Sequence, residues 1–140
     1  MSDNPAQDAL TWLAFALGDL ESARSQPGRS QRPRIVAFHA QQAVEKALKA
    51  ALVLADIDPP RTHDLNALRN GLPSGWRVRT RHPDLGSLSR LAVDTRYPDD
   101  LAPVTAIQAA TAVRQAAAVV RSIREDFARR GLDTSGLKPE

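Results

Sequence analysis

The sequence predicts an all-α fold, an up-and-down bundle of four to five helices. Three features carry that prediction. Apolar residues recur at three- and four-residue steps over three long segments, the period of a helix face rather than of a strand. Those segments are separated by SQPGRSQRP at 25–33 and DIDPP at 56–60, whose prolines and glycine break helices. An alternating stretch, SGWRVRTRH at 74–82, has no second strand to pair with and reads as a loop.

Taken in order, the first helix opens with Asn4 as N-cap and Pro5 in its first turn, with Gln7 where a capping-box partner belongs. Ala6, Leu10, Leu13, Leu17 and Leu20 form its stripe, while Trp12 and Phe15 point elsewhere. A helix apolar on more than one face suggests a second packing partner such as another subunit. It should end near Arg24. Pro33 opens the central helix, whose stretch FHAQQAVEKALKAALVL at 38–54 organises the chain. Val36, Ala40, Ala43, Ala47 and Leu54 line its apolar face, and His39, Gln42, Lys46 and Lys49 share the opposite stripe. Glu45 precedes Lys49 by four residues, the favourable order for a helical ion pair. Alanine at these positions lets the backbone approach a neighbour, with the polar stripe either solvated or free to meet a ligand.

Pro59 and Pro60 stop that helix. Thr62 is expected to cap a short helix over HDLNALRNGL, with Asp64 in the first turn, where the dipole favours an anion. Leu85, Leu88 and Leu91 mark another short helix. DTRYPDD at 94–100 is a stiff turn, because Pro98 holds Tyr97 extended and so presents Arg96 and Tyr97 from rigid backbone. Thr105 and Gln108 make a capping box for the last long helix. Its expected stripe is Ile107, Ala110, Val113, Ala117, Val120 and Ile123, closed by Phe127. Gly131 stops it, leaving a single domain of residues 1–130 and a disordered tail at 131–140.

The absence of cysteine rules out disulfides and thiolate metal sites and suits a reducing compartment. MSDNPAQDAL lacks a basic leader and no apolar run approaches spanning length, so a cytoplasmic protein without membrane contact is expected. The net charge is only +3, but sixteen of the nineteen basic residues are arginine. The planar guanidinium suits phosphate, so this balance permits an RNA or nucleotide partner without requiring one. Three scattered histidines give no metal-ligand spacing and no glycine loop cradles phosphate, so neither a metal nor another cofactor is expected.

The remaining polar residues suggest one composite site. His39, Gln42 and Lys46 on the central helix, His63 and Asp64 at a helix start, and Arg96 with Tyr97 on the turn are candidates to bind RNA or nucleotide. Lys46 and Arg96 would hold phosphate, and Tyr97 would stack a base. Each also has a structural explanation: local packing for His39 and Tyr97, a helix start for His63 and Asp64, and pairing with Asp94 or Asp99 for Arg96. Arg77, Arg79, Arg81 and His82 beside Trp76 form a second basic group, either a phosphate-contacting surface or a solvated loop.

Trp12, Ala16, Asp19, Leu20 and Ala23, followed by FHAQQAVEKALKAAL, HDL at 63–65 and RYP at 96–98, resemble the HEPN domain family over about residues 8–128. The likeness is to stand-alone prokaryotic members that often accompany a minimal nucleotidyltransferase. The resemblance implies a helical bundle that commonly forms a homodimer, binds nucleotide or RNA, and serves in toxin–antitoxin or other defence systems. Active ribonucleases of the family carry an arginine, four to six residues, and then a histidine near the start of the last helix. The histidine moves the 2′-hydroxyl or leaving-group proton, the arginine neutralises charge on phosphate, and no metal is needed. Here Arg96 stands in the arginine's place, but residues 101–103 are Leu, Ala and Pro, so the histidine is missing. Arg34 to His39 and Arg77 to His82 also fit the spacing, though so many arginines make such matches common by chance. The resemblance therefore favours a non-catalytic or weakly catalytic RNA- or nucleotide-binding homodimer with a nucleotidyltransferase partner. The alternatives are a metal-independent ribonuclease using Arg96 with His39 or His63, and a helical module that only binds protein.

Overall fold

The structure, a computed structural model, describes residues 3–25, 32–93 and 103–140. Among them there is no strand. Three long helices and three short ones follow in the order α1 (Pro5–Ser25), α2 (Pro33–Leu54), α3 (Leu65–Asn70), α4 (Val78–Arg81), α5 (Gly86–Val93) and α6 (Ala106–Arg129). None of these is long and apolar enough to cross a membrane. The turn carrying Arg96 and Tyr97 lies outside the described residues.

Helix α2 is the hub, packing against α1, α3, α5 and α6. Ala40, Ala43, Ala47, Ala50 and Ala51 are fully buried, with Val44, Leu48 and Leu52 between them. Small side chains on α2 let its neighbours come close, and the large ones come from those neighbours: Leu13, Leu17 and Leu20 of α1, and Val120, Ile123 and Phe127 of α6. The expected stripes on α1 and α6 are rotated in the structure. Ala9 and Ala16 are buried where Ala6 and Leu10 were expected, and Ala109, Ala112 and Ala116 are buried where Ile107 and Ala110 were expected. Ile107 is 78% exposed. The cause is the same alanine-on-alanine approach: the small residues face α2 and leave some larger ones outside.

The helix ends follow local chemistry. Asn4 Oδ1 accepts from the Gln7 amide at 3.1 Å. Thr105 and Gln108 form the reciprocal capping box, at 3.0 and 2.9 Å. The cap of α3 is Asp64 rather than Thr62: its backbone is extended and its carboxylate accepts from the Ala67 amide at 3.2 Å. Thr62 instead accepts from the Asp64 amide at 3.1 Å. At the end of α6, Gly131 is left-handed (φ 80°), and the Leu132 and Gly131 amides return to the carbonyls of Phe127 and Ala128. That pattern is a Schellman stop.

Helix α2 stops the same way before its prolines act. The Ile57 and Asp56 amides return to the Leu52 and Val53 carbonyls, which forces Asp56 to φ 63°. An L-residue there is strained and glycine is not. Asp56→Gly should therefore raise the unfolding free energy by about 0.5–1 kcal/mol, read as a higher urea midpoint at unchanged slope.

Two expectations are overturned. Residues 78–81, read as loop, form α4, and the disordered tail is instead docked. Arg124 donates to Thr134 Oγ1 (3.0 Å), the Thr134 and Lys138 carbonyls (both 2.6 Å) and Glu140 Oε2 (2.9 Å). Leu132 and Leu137 pack on the core, and Lys138 pairs with Glu21 of α1. Arg124 of α6 is the tail's anchor.

Candidate functional site

Two carboxylates organise the polar side of α2. Asp19, projecting from α1, accepts from His39 Nδ1 at 3.1 Å and from Lys46 Nζ at 2.5 Å. Glu45, buried on α2 itself, accepts from His63 Nδ1 at 2.7 Å and from Lys49 Nζ at 3.2 Å. A short relay adds to the second cluster: Gln42 donates to Gln41 (2.7 Å), and Gln41 donates to Glu45 (3.3 Å). The stripe expected to be solvated or free is therefore half-buried: His39 and Lys46 pair with Asp19 across the α1–α2 contact, and Gln42 and Lys49 pair within α2. The expected Glu45–Lys49 ion pair forms, but on buried ground.

Each cluster contains one histidine and one lysine on one carboxylate. Such a group holds its side chains in fixed positions and is neutral when its histidine is neutral. Protonation of that histidine leaves a net positive charge. Burial alone would raise the pKa of Glu45, but its hydrogen bond with His63 and the nearby Lys49 charge outweigh that and hold it below 4.5. His63 keeps 57% of its side chain in solvent, so with Nδ1 on Glu45 its Nε2 edge remains available.

Lys49 connects this cluster to a cleft beside Trp12. The cleft holds about 440 Å³ and is lined by Trp12, Lys49, Asp8, Asp58 and Arg61, among others. The Lys49 ammonium lies 5.9 Å from the centre of the Trp12 ring. An aromatic face, two cations and several carboxylates suit a group with a planar base, hydroxyls and a phosphate. Among the described residues no cluster of His, Asp and Glu could hold a metal ion.

The sequence-predicted residues divide accordingly. His39, Gln42, Lys46 and His63 fall on the two carboxylate-centred groups. Asp64 does not join them; its carboxylate caps α3. Arg96 and Tyr97 lie outside the described residues. Asp19, Glu45, Lys49 and Trp12 were not singled out for binding. A signal existed for Glu45, an acid beside the otherwise apolar face of α2. The remaining motif match, Arg77 to His82, does not form a pair: the His82 ring reaches the Ala118 carbonyl on α6. Burial pushes its pKa below 6.5, and the Arg81 charge acts in the same direction.

With this geometry established, a model of the HEPN domain family matches residues 9–126 of the chain. No curated protein and no solved structure matches it.

Proposed function

The chain belongs to the HEPN domain family, and we propose that it acts as an RNA- or nucleotide-binding module. One observation supports this most directly: Lys49 is shared between the carboxylate-held His63 cluster and the cleft walled by Trp12. In this reading Trp12 stacks a base, His63 and Lys49 meet phosphate or ribose oxygens, and Asp19 keeps His39 and Lys46 in place. Arg96 adds a phosphate contact and Tyr97 a second stacking surface. The module works in the cytoplasm as a homodimer, and Phe15 and Phe38, 60% and 41% exposed, supply apolar area for that contact. Its nucleotidyltransferase partner and its place in a toxin–antitoxin or defence system rest on the family resemblance alone.

A second reading, a metal-independent ribonuclease, is favoured by one feature. Each of His39 and His63 has Nδ1 on a carboxylate, which leaves Nε2 for proton transfer.

The deciding experiment is binding and cleavage of a labelled single-stranded RNA in chelator, with wild type beside Trp12→Leu, His63→Ala, His39→Ala and Arg96→Ala. The binding reading expects no cleavage, and a loss of affinity for Trp12→Leu of about tenfold, the scale of one stacked base. Cleavage abolished by His39→Ala, His63→Ala or Arg96→Ala would make the protein a ribonuclease. Neither binding nor cleavage would leave the protein-interaction module. Light scattering on the same sample reads the dimer, and a monomer at high concentration would remove it.

A further inference from the structure

The end of α6 and the segment around α4 build a second basic surface from elements that take no part in the α1–α2 site. Arg77, Arg79 and Arg81 come from the α4 segment, and Arg129 and Arg130 from the end of α6. Asp126 ties the two together, because its carboxylate accepts from the backbone amides of Arg77 (3.2 Å) and Val78 (3.3 Å) and from the Arg129 guanidinium. Arg81 reaches Glu125 on α6 at 2.5 Å. Five arginines thus share one surface with two carboxylates, an excess of three, which equals the net charge of the whole chain.

The fold does not need all of these charges. Arg129 and Arg130 complement the C-terminal dipole of α6, and Arg130 stacks on Trp76 at 3.8 Å. Asp126, however, uses the amide of Arg77 and not its guanidinium. The guanidinium groups of Arg77 and Arg79 make no hydrogen bond or ion pair with any described residue. Desolvation, and then the charges of Arg77, Arg81 and Arg130, lower the pKa of Arg129. Uncompensated like charge held together by a buried carboxylate is suited to a polyanion.

The surroundings narrow the ligand. Trp76 is only 3% exposed and lies under Arg130, so no ring is open for base stacking. Arg69 is occupied too, donating to the His82 carbonyl at 2.7 Å. What remains is a shallow depression of about 360 Å³ rimmed by Arg79, Thr80 and Ser74. The guanidinium of Arg79 at this rim and that of Arg77 in the same segment can take phosphate oxygens but read no base.

We propose that Arg77, Arg79, Arg81, Arg129 and Arg130 form a phosphate track that holds the backbone of RNA without regard to sequence. This rests on the RNA-binding reading and adds a second contact surface to it. A strand long enough to reach both surfaces would be held at both, whereas a mononucleotide would use the α1–α2 cleft alone.

The test compares wild type with the double variant Arg77→Gln/Arg79→Gln, using poly(U) and UMP as probes over a salt series. Neither side chain has a hydrogen-bond or ion-pair partner among the described residues, so an unchanged melting curve is expected. For poly(U), the slope of log affinity against log salt should fall by about 1.4, or 0.7 for each lost contact with a single strand. UMP affinity should stay the same, and Arg77→Lys/Arg79→Lys should restore most of the slope. An unchanged poly(U) slope in the glutamine variant, with wild-type binding intact, would overturn the track and leave the cleft reading standing. Equal displacement of poly(U) by polyglutamate would overturn it in favour of an acidic-peptide surface. Failure of wild type to bind either probe would remove the RNA reading itself, and the track with it.

Discussion

Replacing Asp126 by alanine should lower the unfolding free energy by about 3 kcal/mol and the melting temperature by about 10 °C. The side chain is fully buried and bears three loads: the Arg77 amide, the Val78 amide and the Arg129 guanidinium. Removing it leaves two donors at the start of α4 without an acceptor, next to an arginine that has lost its counter-charge. Water reaches Arg129, which is why the effect falls at the lower end for a broken buried pair. Asp126→Asn keeps one acceptor oxygen and should show roughly half the loss. Thermal and urea denaturation would check this, and a drop below about 1 kcal/mol for the alanine variant would mean that α4 rehydrates freely and is not held by this carboxylate.

Asp126 also marks a limit on what the sequence discloses. An acid in the last turns of a helix opposes the helix dipole, so its position was an available sign that something else must stabilise it. What stabilises it is 48 residues away along the chain, which no local pattern encodes. For that reason residues 78–81 read as loop while folding as helix. The docked tail has the same origin: LDTSGLKPE carries no helical period, and its order comes from Arg124, a residue indistinguishable in sequence from any solvated arginine. The long helices and their caps were legible because both signals are local, a three-to-four-residue period and a capping residue three positions from its partner. Rotation of the helices about their axes was less legible. Alanine contributes little to an apolar stripe, yet at Ala109, Ala112 and Ala116 it marks the side of closest approach.

The candidate site was legible in composition and not in pairing. Spacing put His39, Gln42 and Lys46 on one side of α2, and the structure keeps them there. That side faces α1 because of Asp19, twenty residues before His39, and a one-helix pattern cannot show a partner on another helix. His63 was placed with Asp64 because they are neighbours in sequence. In space they part: His63 turns to Glu45, and Asp64 turns to the first amides of α3. Adjacent residues at a helix start point in different directions, so one serves as cap and the other is free to join a site.

Glu45→Ala should remove about 3 kcal/mol of stability, because it strands Lys49, itself only 15% exposed, and releases both His63 and Gln41. Glu45→Gln keeps the volume and one acceptor oxygen and should remove about half of that. The pH dependence separates charge from packing. Because its folded pKa lies below 4.5, the unfolded chain takes up the proton first as the solution is acidified. The ionic contribution of Glu45 is thus complete above about pH 4.5 and is lost as the pH falls through the lower folded value. The stability gap between wild type and Glu45→Gln should therefore be widest near neutrality and close on acidification, whereas a gap due to packing would not move with pH. Combining Glu45→Gln with His63→Ala adds a functional control. If Glu45 acts on ligand through His63, the double variant should bind RNA no more weakly than His63→Ala alone. Additive losses would instead mean that Glu45 supports binding through Lys49 and the Trp12 cleft, and would put the centre of the site on the cleft side of α2.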